Sequence, residues 1–194
     1  MTHALQKNIS WNDIVCGGTP YGDQFRDVWG ERWGMGKHST AAEVRSLIGH
    51  DRWSSYFTFS IVRNPADRIR SMYTWTAKIV NRHGLDGWRR WARHISDRWK
   101  RDIRQWPTVR AYLDTSDFSE YIRHPALEEE LDQSDFITSE SGDDLIVDSI
   151  YKLENIEENI EVISKKVGVK LRLPKNNASS EGGEIGISNN DIKK

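Results

Sequence analysis

The order of apolar and polar positions predicts a strand that leads directly into a helix. Residues Tyr56–Val62 are an uncharged run rich in aromatic and β-branched side chains, as expected of a strand covered on both faces. Asn64 is a favoured N-cap residue, and Pro65 suits the first helical position. We therefore expect a helix from about Pro65 to about Val80.

A second strand-helix unit is predicted near the end of the chain. Residues 145–153 return to strand character, and residues 157–167 form a helix that Gly168 ends. Strands that alternate with helices predict an α/β fold with a mainly parallel sheet, whose ligands bind at the carboxyl ends of the strands. We expect one domain over residues 1–175 and a flexible tail, rich in Asn, Ser, Gly and charge, over 176–194.

Two further helices are predicted outside these units, one before the first unit and one between the two. Residues 40–48 form a short helix capped by Ser39 or Thr40 and ended by Gly49. Between Trp88 and Trp106 apolar residues recur at steps of three and four, which predicts a long helix stopped by the proline that follows. Its other faces are cationic, which fits either an acidic partner or simply a solvated surface.

Composition narrows the class of protein. With 37% hydrophobic and 29% charged residues and a net charge of −1, the chain is expected to be a soluble globular protein in the cytoplasm. No run approaches the roughly 20 apolar residues of a membrane span. Cys16 is the single cysteine, so no intrachain disulfide and no metal site are expected, and a near-neutral charge argues against a nucleic-acid partner.

The candidate ligand-binding residues lie where the first predicted strand meets the helix that follows it. Arg63 follows the strand, and its planar guanidinium matches phosphate oxygens at a helix N-terminus, which attracts anions. Ser71 lies two turns further on and shares a face with Asn64 and Arg68. The alternative is that the two arginines only pair with carboxylates such as Asp67. Spacing alone leaves both interpretations open.

This junction resembles a known motif. The segment Phe59–Tyr73, FSIVRNPADRIRSMY, resembles the 3′-phosphate-binding motif of sulfotransferases that use 3′-phosphoadenosine 5′-phosphosulfate (PAPS). The similarity is greatest to the carbohydrate sulfotransferases and their bacterial relatives. Residues 36–43, 151–156 and 173–179 are similar to the same group, so the resemblance covers most of the chain.

The resemblance implies a P-loop-like α/β sulfotransferase fold and a specific reaction. A sulfuryl group would pass from PAPS, the co-substrate, to a hydroxyl, with a carbohydrate as the favoured acceptor. Arg63 and Ser71 would hold the 3′-phosphate of the nucleotide. His38 is the candidate base that takes the proton of the acceptor hydroxyl, the alternative being a role in capping or loop hydrogen bonding.

The chain also departs from the family pattern. Relatives begin with a strand and a Lys/Gly/Thr-rich loop that cradles the 5′-phosphosulfate. Cys16–Pro20 resembles that loop superficially, but no apolar strand of normal length precedes it, it contains no Lys, and a helix would have to begin at Pro20. We therefore expect the first strand and the loop to be lacking, as in a chain truncated at its N-terminus. The alternative function is a catalytically inactive remnant that binds nucleotide or glycan.

Overall fold

The described part of the chain divides into two compact units. The computed structural model describes residues 2–8, 13–91, 103–130 and 132–173. Unit 1 contains the described residues up to Val62 and from Asp132 onward, and unit 2 contains the described segment between them. The single domain expected over 1–175 stays a prediction, and the expected tail over 176–194 lies outside the described residues.

Helices and two strands follow one another along the described chain. In chain order they are α1 (Thr2–Gln6), α2 (Pro20–Gln24), α3 (Arg26–Trp33), α4 (Ala41–Ile48), α5 (His50–Ser55), β1 (Phe59–Val62), α6 (Pro65–Trp91), α7 (Pro107–Leu113), α8 (Phe118–Tyr121), β2 (Ser149–Lys152) and α9 (Ile156–Val167). Short 3-10 helices are formed by Ile103–Gln105, Pro125–Glu129, Ser134–Phe136 and Leu153–Asn155. Among the described helices, none is long and apolar enough to span a membrane.

The two strands of unit 1 form a parallel pair. Phe59 lies opposite Ser149, and Val62 lies opposite Lys152. This confirms an α/β arrangement with a small parallel sheet. Strand β1 is shorter than the predicted run over 56–62, and its four residues are half-buried, not fully covered.

A hydrogen-bonded junction joins the starts of β1 and β2. The Asp148 carboxylate accepts hydrogen bonds from the Thr58 backbone N–H at 2.7 Å and from the Thr58 hydroxyl at 2.8 Å. Both bonds lower the pKa of Asp148, and the bond from the backbone N–H has the larger effect. The Asp148 N–H in turn donates to the Thr58 carbonyl at 3.0 Å. Trp53 Nε1 also donates to the Ile146 carbonyl at 3.0 Å, so α5 and the approach to β2 are tied together.

Capping residues define the helix ends largely as the sequence predicts. The Thr40 side chain accepts from the Glu43 N–H while the Glu43 carboxylate accepts from the Thr40 N–H, which forms a capping box at the start of α4. Helix α9 ends at Gly168, whose φ of 74° is the left-handed conformation that glycine adopts readily. Helix α6 begins at Pro65 as predicted.

The region between α6 and α7 differs from its prediction. Helix α6 is interrupted at Gly84, whose φ of 59° and ψ of 166° are not helical, so its first segment ends close to the expected position near Val80 and a second segment continues to Trp91. Most of the long helix predicted between Trp88 and Trp106 lies outside the described residues. Where the chain is described again it forms a 3-10 helix, and Pro107 begins α7. No helix continues through Trp106 into this proline, as predicted, but Pro107 also begins a new helix, because proline suits the first turn of a helix.

Two clusters of apolar side chains form the core of unit 2. Their buried members are Ile79, Ile103 and Val109 in one cluster and Ala111, Phe118 and Tyr121 in the other. The ring of Tyr73 on α6 lies 5.3 Å from Phe118 and 5.0 Å from Tyr121 in edge-to-face contacts, which are favourable for aromatic pairs. These contacts attach α8 to the middle of α6.

Two buried hydroxyls in the described part of unit 2 lack a hydrogen-bond partner. Tyr121 is fully buried, and neither its hydroxyl nor that of Thr76 has a partner with good hydrogen-bond geometry among the described residues. The Thr76 hydroxyl is still close enough to favour the phenolate slightly. Burial outweighs this and raises the pKa of Tyr121 to about 12, with a smaller contribution from the Glu130 charge. The phenol is thus held in its neutral form.

We predict that Tyr121→Phe makes the fold less sensitive to alkali. Because the folded protein holds the Tyr121 proton more tightly than the unfolded chain, the wild type loses stability as the pH rises from about 10 to about 12. The variant should lose about 1 kcal/mol less of its free energy of unfolding between pH 9 and pH 11. Urea unfolding at both pH values measures this difference.

The matched control is Tyr56→Phe, since Tyr56 is well exposed. It should behave as the wild type at both pH values. Equal alkaline losses in the wild type and Tyr121→Phe would contradict the assignment.

Candidate functional site

A cavity of about 590 Å³ lies within unit 1. It is lined by Lys37, His38, Phe59, Ser60, Ile61, Val62, Gln133 and Phe136. Successive residues of a strand point to opposite faces, so a cavity that all four residues of β1 line follows the edge of that strand. Since β2 pairs with one edge of β1, the cavity runs along the other. The sequence did not identify Gln133 and Phe136, because only the fold brings them to this strand.

A tight turn between α3 and α4 presents the two ionisable residues of the cavity. Gly34, with a φ of 67°, ends α3, and the Gly36 N–H then donates to the Ser39 hydroxyl at 2.9 Å. The Ser39 N–H donates back to the Gly36 carbonyl at 3.1 Å. Lys37 and His38 occupy the two central positions of this closed turn. The capping box of α4 follows at once and fixes the direction in which the chain leaves.

The surroundings of His38 favour a neutral imidazole. Its side chain keeps exposed surface, yet partial burial lowers the pKa of His38 below its ordinary value of 6.5, and the positive charge of Lys37 lowers it further. A neutral imidazole at pH 7 accepts a proton. The cap of α4 is formed by Thr40 and Glu43, and the role of His38 stays a prediction.

The glycine loop before α2 lies against Lys37. Gly17 and Gly18 have φ values of 80° and 76°, and the buried Thr19 accepts from the Gly22 N–H at 3.0 Å to cap the helix. A helix therefore does begin at Pro20, which is one of the features that a phosphate-binding loop at Cys16–Pro20 would require. Helix α2 is only five residues long, and Thr19 already uses one of its free N–H groups.

The cysteine of this loop has the character of an inert thiol. Cys16 is half-buried, and burial raises its pKa, so the thiol stays protonated at neutral pH. In the described part of the chain, no group of histidine, cysteine and carboxylate side chains is arranged to hold a metal ion.

The head of α6 in unit 2 carries the predicted phosphate-binding residues. The Asn64 side chain accepts from the Ala66 N–H at 2.9 Å, and its carbonyl accepts from the Arg68 N–H at 2.8 Å, which confirms the predicted cap. Arg63 is half-buried immediately before this cap, and Ser71 is exposed two turns into the helix. Both residues therefore belong to the start of one helix.

Two arginines in the first two turns of α6 have carboxylate neighbours. Arg70 lies 3.7 Å from Asp67 on the same face. The charge of Arg68 lowers the pKa of Glu130, although burial of that carboxyl raises it more strongly. Arg70 therefore pairs with a carboxylate, and Arg68 interacts electrostatically with one. The phosphate-binding role of Arg63 stays a prediction.

The predicted site residues fall in different units. His38 belongs to unit 1, and Arg63 and Ser71 belong to unit 2. Unit 1 places His38 beside Lys37 on the cavity along β1. Val62 is the last residue of β1 to line that cavity, and Arg63 is the next residue of the chain.

Comparison with known proteins adds one finding. A family model described as Sulfotransferase family matches residues 32–191, which include the turn at His38, both strands and the head of α6. No curated protein and no solved structure matches the chain significantly.

We predict that Gly22→Ala displaces the glycine loop. A Cβ at this position would lie 2.8 Å from the Gly17 N and 2.9 Å from the Gly17 carbonyl, so backbone atoms would have to move. Overpacking of this kind should lower the free energy of unfolding by roughly 1–3 kcal/mol. Chemical denaturation followed by tryptophan fluorescence measures the loss.

Gly30→Ala is the matched control, because Gly30 is also helical and its added Cβ would meet only the Met35 carbonyl at 3.8 Å. This variant should be as stable as the wild type or more stable by up to about 1 kcal/mol. A stable Gly22→Ala protein would show that the loop does not pack as described.

Proposed function

Because the chain belongs to the sulfotransferase family, we propose that it transfers a sulfuryl group from PAPS to a hydroxyl, with a carbohydrate as the favoured acceptor. The observation that carries this proposal is the junction at the head of α6. Asn64 caps the helix directly after β1, within the range that the family model matches. Such a junction places Arg63 beside the positive end of the α6 dipole, where an anionic ligand is favoured.

Arg63 and Ser71 bind the 3′-phosphate of the donor. The guanidinium forms charge-assisted hydrogen bonds with the phosphate oxygens, which are stronger than bonds between neutral groups. The positive end of the α6 dipole adds to the attraction. The exposed Ser71 hydroxyl donates from the second turn of the helix. Arg68 and Arg70, which have carboxylate neighbours, are not needed for this contact.

His38 acts as the general base. The acceptor oxygen attacks the sulfur, the bond between sulfur and the 5′-phosphate oxygen breaks, and 3′-phosphoadenosine 5′-phosphate leaves. The proton of the acceptor hydroxyl passes to the neutral imidazole of His38. Support comes from the lowered pKa of this residue and from its position on a cavity lined by strand β1.

A sulfate-transfer assay tests the reaction itself. The chain is incubated with PAPS labelled in its sulfate group and with a panel of acceptors that includes mono- and oligosaccharides, a phenol and an aliphatic alcohol. Transfer to a hydroxyl supports the proposal, and the preferred acceptor tests the carbohydrate class. Binding of 3′-phosphoadenosine 5′-phosphate without transfer to any acceptor would favour the inactive remnant instead.

We predict that Arg63→Ala weakens the binding of 3′-phosphoadenosine 5′-phosphate. Loss of a charge-assisted hydrogen bond should cost about 1.5–3 kcal/mol, or about 10- to 150-fold in Kd. Isothermal calorimetry measures the change. Arg70→Ala is the control on the same helix, because Arg70 already pairs with Asp67 and should leave Kd nearly unchanged. Identical affinities of the wild type and Arg63→Ala would end the assignment.

We predict that His38→Ala lowers turnover by about 10²- to 10⁴-fold while the affinity for 3′-phosphoadenosine 5′-phosphate changes little. In the wild type, kcat should rise as the pH increases through the pKa of His38. Since that pKa lies below the ordinary histidine value of 6.5, the midpoint of the rise should lie below pH 6.5. A pH–rate profile of both proteins checks this. Unchanged turnover in His38→Ala would remove His38 from the mechanism.

A further inference from the structure

The lining of the cavity in unit 1 is cationic. Of the residues that line it, Lys37 and His38 are ionisable, and the others are apolar or neutral. No carboxylate is among these lining residues, so nothing in the lining neutralises the ammonium charge. A concave site lined by one sign of charge concentrates ligands of the opposite sign.

The glycine loop fixes the base of the Lys37 side chain. A Cβ at Gly17 would lie 3.2 Å from the Lys37 Cβ and 3.7 Å from its Cγ, so the loop backbone packs closely against the stem. Gly17 has a φ of 80°, which only glycine adopts without strain. The Asp23 carboxylate oxygen lies 3.6 Å from the same point. The loop backbone thus packs against the Lys37 stem, while Lys37 as a whole is exposed and lines the cavity.

The ammonium of Lys37 acts electrostatically on the imidazole of His38. After partial burial, the charge of Lys37 is the second cause of the lowered pKa of that residue. Because the two side chains interact electrostatically and both line the cavity, they lie in the same region of it. An anion bound there would contact Lys37 and lie next to a neutral, proton-accepting ring.

We propose that Lys37 is an anion-binding residue of this cavity and places a sulfate or phosphate ester of the ligand beside His38. The inference rests on the proposed sulfuryl transfer, for which it adds a ligand contact. Lysine suits this role because its compact charge follows an anion without a fixed geometry. Ile61 and Phe136 add apolar surface to the same cavity.

The proposed contact has two possible sources with the same chemistry. The ester is either the 5′-phosphosulfate group of the donor or a sulfate already carried by an acceptor. The adenosine of the donor distinguishes them. 3′-Phosphoadenosine 5′-phosphate represents the donor, glucose 6-sulfate represents a sulfated acceptor, and inorganic sulfate tests the anion alone.

The experiment compares Lys37→Met and Lys37→Arg with the wild type. The control is Lys165→Met, which removes an exposed lysine of α9 in the same unit. The first readout is the NMR titration of the His38 imidazole without ligand. The second is the Kd of each of the three probes, from the same resonances and from calorimetry. Neither readout requires catalytic turnover.

We predict that Lys37→Met raises the pKa of His38 and weakens the binding of inorganic sulfate and of one of the two esters roughly tenfold or more. Lys37→Arg should keep the low pKa and most of the binding, and Lys165→Met should match the wild type. The ester that loses affinity identifies the source. Unchanged probe affinities in Lys37→Met, or no sulfate-dependent shift of His38 in the wild type, would overturn the inference.

These outcomes separate the inference from the proposed function. If the Lys37→Met variant transfers the sulfuryl group with unchanged KM values, the role of Lys37 is refuted and the proposed sulfotransferase function stands. Lys37-dependent binding of sulfate in a protein that transfers no sulfuryl group would refute the function and keep the anion site.

Discussion

The hydrogen bonds between Thr58 and Asp148 are the constraint on which the rest of unit 1 depends. They join residues 90 positions apart and set the register of two strands that are each only four residues long. A parallel pair this short has little stability of its own, so the junction at its start determines where β1 lies. The position of β1 in turn defines one wall of the cavity and the point at which the chain enters α6.

Two local features place the candidate functional residues on either side of β1 in the sequence. At the end of β1, Asn64 caps a long helix and leaves Arg63 beside its positive end. Before β1, the closed turn at Gly36 and Ser39 carries a lysine and a histidine into the cavity. The proposed sulfuryl transfer would use both features, because it requires a residue that binds the anionic donor and a base for the acceptor hydroxyl.

The sequence correctly predicted helix ends that depend on neighbouring residues. The capping box at Thr40, the cap at Asn64 and the glycine end of α9 each depend on residues within one turn, and all three are observed. Features that depend on distant residues were missed. Phe136 reaches the cavity only through the fold. The new helix that begins at Pro107 was also not predicted, because a periodic apolar pattern does not show where one helix ends and the next begins.

The most direct test of the account is to map the nucleotide on the chain. Backbone amide resonances would be followed by NMR while 3′-phosphoadenosine 5′-phosphate is added to the wild-type protein. The account predicts saturable shifts concentrated at Arg63 and through the first two turns of α6 to Ser71, with the rest of that helix little changed. Saturable shifts confined to other parts of the chain, or no binding at all, would contradict it.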